Sequence, residues 1–480
     1  MIGELGAVLM TFRGCFPRGA TFRWFVVAVF GFVVRLDHHG VSSSIRWLGI
    51  RPQLYEPFLA FFRSRALRLG AILEHWQGLV MEQCALRTRA GAFILVGDGI
   101  KIGKEAERMP GVKKLHQESE NSGKAPWIFG HHFGVIGLLV GVAEKLFCVG
   151  LAAELHEGVE ALRKLQGKPA PVVKAVEKTS IVSLMGNLLT AAASRSQVPC
   201  VAILDAFFAV GTTFLMAATL CRETTGERLL HIITRAKDNV VAYEVPVYKG
   251  SGRRPKYGKK LVLAKLFSEC AELFQTVTLN LYGETKTISI LCLDLLWKPI
   301  QGKLRFVLVK DGTATFILLC SDLTMDPTEI LQLYSVRFKI EVTFKVLKHI
   351  IGGLCYHFWT SCWKDLNGPS LSLEDIKDMP ERSKELIAVT MNAIEAFLNI
   401  ALIATGILQL LALRCSEKVW QRHRWWMRTY SSDVPSEEVV KRVIQNEFYH
   451  HFRDFKHTAI YKIIRDKVLP HRENTLRMAA

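Results

Sequence analysis

Tyr334, Arg337, Glu341 and Lys348 stand in the spacing Y-x2-R-x3-E-x6-K. At about 100° per helical residue, Arg337 to Glu341 advances about 400° and Glu341 to Lys348 about 700°. Arg337, Glu341 and Lys348 therefore fall on one helical stripe, with Tyr334 about a turn away on the same side. Such a stripe is an odd core face. Through Glu341 it could supply one part of a pocket for a hard cation. An i,i+4 surface ion pair is the plain alternative for Arg337 and Glu341. Two aspartates share a second pattern. Asp98 follows the apolar run 92–96, and Asp205 follows 200–204. Continuous apolar runs suit strands buried on both faces, and α/β sheets present ligands just past such strand ends. Either aspartate alone fits turn chemistry; two at neighbouring strand ends would make a cation pocket.

These residues need a scaffold, and the chain divides into five stretches. Residues 1–88 read as helical and basic, with Phe58, Phe61, Phe62 and Ile72 at helical spacing and Arg63, Arg65 and Arg68 between them. A small DNA-binding module and a generic basic bundle both have this pattern. Residues 89–239 carry short apolar runs: 92–96 closed by Gly97-Asp98-Gly99, a polar loop over 101–124, strands at 133–142 and 146–151, a helix at 175–196, a strand at 200–204, a helix at 212–221 and a strand at 229–234. Residues 240–322 form a β-rich block, with strands at 276–282, 287–296, 304–309 and 315–319 between turn signals. A basic loop, 249–260, precedes those strands, and Arg253 and Arg254 within it are candidate phosphate contacts. Residues 323–366 begin with Pro327 at the start of a long helix over 328–351. Residues 367–480 open with a polar linker and continue as helices, with Trp420, Trp425 and Trp426 in the tail.

The chain has 480 residues, half of them hydrophobic and 22% charged, a balance that excludes disordered and collagenous classes. Lys and Arg number 62 against 44 Asp and Glu, a formal charge of +18 that favours a polyanionic partner. Eleven cysteines without a C-x-x-C pair argue for reduced, mostly buried thiols in a cytoplasmic protein. The apolar segment 24–34 is too short to cross a bilayer. Residues 396–413 reach the lower limit of a span, but Asn399, Thr405, Gly406 and Gln409 interrupt them; a buried core helix is expected, and no membrane partner.

Tyr334, Arg337, Glu341 and Lys348 resemble the YREK signature of bacterial insertion-sequence transposases of the DDE class. Asp98 and Asp205 fall where that group carries its first two catalytic acids, and the β-rich block resembles the insertion it places before the Glu. Residues 130–134 (GHHFG) and 356–359 (YHFW) are similar to flanking stretches of related transposases. The resemblance covers about 90 to 360. It implies an α/β, RNase H-like catalytic domain with a β-rich insertion between the second Asp and the catalytic Glu, plus helical N- and C-terminal regions. It further implies catalytic, metal-binding Asp98, Asp205 and Glu341 with two Mg2+ ions, for which Mn2+ substitutes, and phosphate contacts from Tyr334, Arg337 and Lys348. The expected partners are terminal inverted repeats and target DNA, met as a homodimer at the nucleoid. Arg235 and Lys237 would contact the cut strand. Trp297 would hold an unstacked base or be a packed strand aromatic. Of His131 and His132, adjacent on a strand, one is expected to be structural or to contact phosphate. Asp294, Asp311, Asp322 and Asp326 are reserves for Glu341. A nuclease of the same fold without strand transfer, and an inactive DNA-binding relative, are the alternatives.

Overall fold

The computed structural model describes residues 1–83, 85–104, 108–117, 123, 125–142, 145–157, 180–248, 250, 254–363, 376, 379–427 and 433–468. Five helices lead: α1 (Ile2–Thr11), α2 (Gly19–Val34), α3 (Gly40–Leu48), α4 (Tyr55–Phe62) and α5 (Leu69–Met81). The chain then enters the sheet through β1 (Phe93–Gly103), β2 (Lys113–His116), β3 (Trp127–Val142) and β4 (Lys145–Leu155). Helix α6 (Ile181–Ser196), β5 (Cys200–Leu204), α7 (Gly211–Ala218) and β6 (Leu230–Arg235) follow. The remaining strands are β7 (Val241–Tyr243), β8 (Lys260–Val262), β9 (Gln275–Leu281), β10 (Glu284–Trp297), β11 (Gly302–Asp311) and β12 (Ala314–Cys320).

Among the described residues these twelve strands form one mixed sheet in the order β2-β3-β1-β5-β6-β12-β11-β10-β7-β8, with β4 on β3 and β9 on β10. Strands β1, β3 and β4 are antiparallel, β5 and β6 run parallel to β1, and β9 to β12 form an antiparallel meander. Two expectations are corrected here. The β-rich block is continuous with the sheet of β1, β5 and β6, because β12 pairs with β6. Part of the expected loop 101–124 is strand, because β3 is long enough to pair with β1 as far as Gly103 and with β2 beyond it. Both sheet faces are covered: Phe93 and Leu95 enter one apolar core, Ile94 and Val96 the other. This double burial is why β5 and the part of β1 paired with it, Phe93 to Val96, are apolar at every position.

The helix expected over 328–351 is broken. Helix α8 (Pro327–Ser335) starts at Asp326, whose carboxylate accepts from Thr328 N at 2.8 Å, and α9 (Lys339–Val346) ends in a π-turn, Leu347–Ile351. Between them Val336, Arg337 and Lys339 donate to carbonyls three residues back, tightening the backbone without reversing its course. Helix α10 (Glu381–Arg414) is the one described helix long and apolar enough to cross a membrane, and 94% of its apolar window is buried within the protein. Its polar residues serve that burial: Asn399 both accepts from Ala153 N and donates to Ala153 O, each at 2.8 Å, which satisfies the free edge of β4. Helices α11 (Ser416–Arg422), α12 (Glu437–His451) and α13 (Ala459–Arg465) complete the chain. Helices α1 and α2 pack on α10, α12 and α13, so the leading and trailing helices form one body rather than two separate modules. The expected linker 367–384 lies mostly outside the described residues.

Candidate active site

Register places the two aspartates. Val96 pairs with Ile203, and Ile203 with Ile233. Two residues further along each strand stand Asp98, Asp205 and Arg235, at one level and on one face. Asp205 lies just past the end of β5, as expected. Asp98 does not end its strand: β1 runs five residues beyond it, paired with β3 alone. Gly97-Asp98-Gly99 looks like a turn, but both glycines are there for packing. A Cβ on Gly97 would stand 2.6 Å from Met185 Sδ, and one on Gly99 2.8 Å from His132 Nε2. Beyond Val96, β1 has no strand on its β5 side among the described residues. That open edge borders a cleft of ≈ 690 Å³ lined by Asp98, Lys101, His132, Asp205 and Lys348, among others.

Asp98 Oδ1 accepts from Gly99 N at 2.7 Å, and Oδ2 accepts from Arg337 Nη1 at 3.3 Å. Burial pushes its carboxyl up to about 6, and the charge of Asp205 adds to the rise; Arg337 and the Gly99 N–H oppose it. Asp205 accepts from Phe207 N at 3.0 Å, and its carbonyl accepts from Thr234 Oγ1 at 2.6 Å, which ties the end of β5 to β6. Glu341 is half exposed in the first turn of α9 and accepts from Arg337 Nη2 at 2.6 Å. One guanidinium thus joins the first acid to the third. Burial opposes charge on Arg337, but Asp98, Tyr334 and Glu341 outweigh it and hold the group above its ordinary value. Burial raises the Tyr334 phenol. Lys348, on the π-turn, lines the cleft with both aspartates, so the stripe inferred from regular helix geometry survives the break.

The donor chemistry fits a hard divalent cation. Burial and, after it, the charge of Asp205 raise Asp98, and a cation between the two carboxylates would relieve their repulsion. Asp98 and Asp205 would hold such an ion from the sheet, and Glu341 from α9. Among the described residues no three or more acids, histidines or cysteines are grouped as metal ligands; Arg337 bridges Asp98 and Glu341 instead.

Other expected contacts divide. Arg235 is exposed, its guanidinium 5.7 Å from the Phe316 ring. Lys237 is exposed beside a second cleft of ≈ 300 Å³, which Trp297 also lines. Trp297 itself is only 7% exposed and packs edge-on to Phe214 at 5.5 Å, so the packed strand aromatic describes it and a base-stacking platform does not. Arg254 lies 5.0 Å from the Tyr248 ring, and Arg253 is outside the described residues. The reserve acids have structural partners: Asp294 pairs with Arg305 at 2.9 Å, Asp311 with Lys286 at 3.2 Å, Asp322 accepts from Thr324 N at 2.9 Å, and Asp326 caps α8. Of the ten described cysteines, Cys148, Cys200 and Cys320 are buried and Cys221 is exposed, fewer buried thiols than expected.

Sequence reasoning missed the support behind Lys348. Arg35 is fully buried and donates to Ile351 O at 2.6 and 3.2 Å, Gly352 O at 2.9 Å and Gly40 O at 2.9 Å. His38 Nε2 donates to Ile350 O at 3.3 Å, and Lys441 donates to the same carbonyl. Gly352 turns the chain there at φ +68°, where a Cβ would stand 2.6 Å from the His38 ring. Its one sequence signal is an arginine closing the apolar run 24–34. No protein-family model matches the chain, and no curated protein sequence matches it.

Proposed function

We propose that this chain is a DNA transposase of the DDE class, acting on the ends of an insertion sequence. The observation that carries the reading is that Asp98, Asp205 and Lys348 line one cleft while Arg337 joins Asp98 to Glu341. An antiparallel trio, β4-β3-β1, extended by parallel β5 and β6 with acids on the first and fourth strands in chain order, supports an RNase H-like catalytic domain. The charge of +18 supports a nucleic-acid substrate.

Cutting DNA is an in-line displacement at a phosphodiester. Mg2+, or Mn2+ in its place, would be held by Asp98, Asp205 and Glu341 and would there activate the attacking oxygen and stabilise the leaving one. Arg337, Lys348 and Arg235 bind phosphates and set the strand across the acids, and Tyr334 backs Arg337. The same site then serves hydrolysis at the element's end and joining of the freed 3′-hydroxyl to target DNA. Two protomers on two ends complete the assembly.

The test is cleavage of a duplex carrying the repeat that bounds the gene, in Mg2+ or in EDTA, with wild type and Glu341→Gln. The reading expects Mg2+-dependent nicking at the repeat boundary, and in the variant a loss of nicking while binding persists. Equal cutting by both proteins overturns the site. Binding without any cutting favours an inactive DNA-binding relative. A pre-cut end that is never joined to a second duplex leaves a nuclease without strand transfer.

A further inference from the structure

His131 and His132 are neighbours on β3 with opposite fates. His131 is fully buried; its Nε2 donates to Pro110 O at 2.9 Å and its Nδ1 accepts from Tyr356 Oη at 2.7 Å. Both ring nitrogens are used, so this residue is structural. His132 points to the other face of the sheet and lines the cleft. Its backbone carbonyl accepts from His156 N at 2.8 Å, but neither nitrogen of its half-buried ring has a hydrogen-bond partner among the described residues. Both nitrogens are therefore open to solvent or to a ligand.

The surroundings define the missing partner. The His132 ring lies over Gly99, the residue after Asp98, in space that any side chain at 99 would contest. Lys101 faces it across the β1–β3 ladder, and the His156 ring stands at 6.0 Å. Lys113 is close too, but its ammonium is engaged by His156 Nδ1 at 2.6 Å and by Glu157 at 3.0 Å. Burial holds the imidazole neutral, and the nearby His156, Lys101 and Lys113 act in the same direction. Asp98 points to the opposite face of β1 from Lys101 and His132, so at the open edge of β1 the cleft has a carboxylate on one face and on the other a wall of donors: the His132 ring and Lys101, whose ammonium also donates to His116 O at 2.9 Å. An oxyanion fits it, and a strand lying along the open edge of β1 from Asp98 to Gly103 would carry one.

We propose that His132 is a substrate-binding residue whose ring N–H donates to a non-bridging oxygen of a DNA phosphodiester lying in the cleft beside Asp98. The inference rests on the reading of that cleft as a DNA site. It assigns to His132 a contact that neither the spacing signature nor the acids supply.

The experiment measures affinity for a fluorescent duplex of the element's end in EDTA, so that binding is scored apart from cutting. Wild type is compared with His132→Phe, which keeps the ring and removes the donor, and with His132→Gln, which restores an N–H. The expected result is a five- to tenfold loss for Phe and near-wild-type affinity for Gln, with thermal melts unchanged. Single phosphates are then neutralised as methylphosphonates. One linkage should cost wild type about as much as the Phe variant loses and cost that variant nothing more. Gly99→Ala, which displaces the ring without removing it, should lose affinity to the same linkage. Wild-type affinity in His132→Phe, or equal costs at every linkage in both proteins, overturns the proposal. Mg2+-dependent cutting by wild type alongside such a result overturns this contact and leaves the transposase standing. Linkage-specific coupling without cutting by wild type does the reverse. No binding of DNA by wild type overturns both.

Discussion

The segment from Tyr334 to Gly352 is held by cations at both ends, and the two ends differ in what those cations touch. At the cleft, Arg337 binds carboxylates, Asp98 at 3.3 Å and Glu341 at 2.6 Å, and the Glu341 side chain is 53% exposed. At the far end Arg35, Lys441 and the His38 ring donate to the backbone carbonyls of Ile350, Ile351 and Gly352, and Arg35 also to that of Gly40. Carbonyls at a helix C-terminus carry partial negative charge that nothing in solution competes to replace once buried. Carboxylates facing a water-filled cleft can trade a guanidinium for another cation. One end is built to stay and the other to exchange, which is what the proposed grip on phosphates would require.

The largest effect should come from breaking the fixed end. Arg35→Met leaves three buried carbonyl oxygens without their donor, and unfolding in urea should show a loss of about 3–5 kcal/mol. A loss below about 1 kcal/mol would mean that water replaces the guanidinium and that the end is not fixed. The next effect has the opposite sign. Asp98 titrates near 6 in the folded protein against 3.8 as a free side chain. A raised carboxyl contributes stability that is fully present below pH 3.8 and is lost as pH rises through about 6. Asp98→Asn is free of that loss. At about 1.4 kcal/mol per pH unit it should be more stable than wild type by up to about 3 kcal/mol at pH 7, with the gain vanishing below about pH 4. A variant less stable than wild type at pH 7 would show that Asp98 is a structural acid and not a site acid held under strain.

How far these ends could be read from the chain follows from the range of the interactions involved. The apolar runs before Asp98 and Asp205 report burial on both faces, a property each strand carries alone, and Pro327 and Asp326 mark a helix start by local chemistry. The buried character of α10 was legible in the polar residues that dilute it, with Asn399 turning out to serve the edge of β4. The continuation of β1 past Asp98 was hidden because it depends on β3, more than thirty residues on, and because Gly97 and Gly99 mimic a turn while making room for Met185 and His132. Stacking and packing both stayed open for Trp297 because strand alternation does not reveal that Phe214 covers it. The clasp of Arg35 and Lys441 joins residues about four hundred positions apart in sequence onto one turn, and no local pattern carries that. The broken helix was misread for a related reason: the stripe needs only its side chains in line, and a tightened turn at Val336–Lys339 preserves that.

The smallest effect sharpens the comparison most, because it measures exchange at the cleft end directly. At pH 7 Arg337→Gln removes the one guanidinium that lowers Asp98, so the Asp98 carboxyl should move further above 6, away from the carboxylate range. The expected cost in stability is about 1–2 kcal/mol, since the ion pair is partly buried and Glu341 keeps its access to water. In the Asp98→Asn background the same substitution should cost less than about 0.5 kcal/mol, so that the double-mutant cycle returns about 1 kcal/mol of coupling between the two sites. That coupling should fade as pH falls through about 6, where Asp98 becomes protonated in the folded protein and has no charge to offer. A cycle that closes at zero, or a coupling indifferent to pH, would mean that Arg337 is held by packing and not by the acid, and the cleft end would then be as fixed as the end that Arg35 holds.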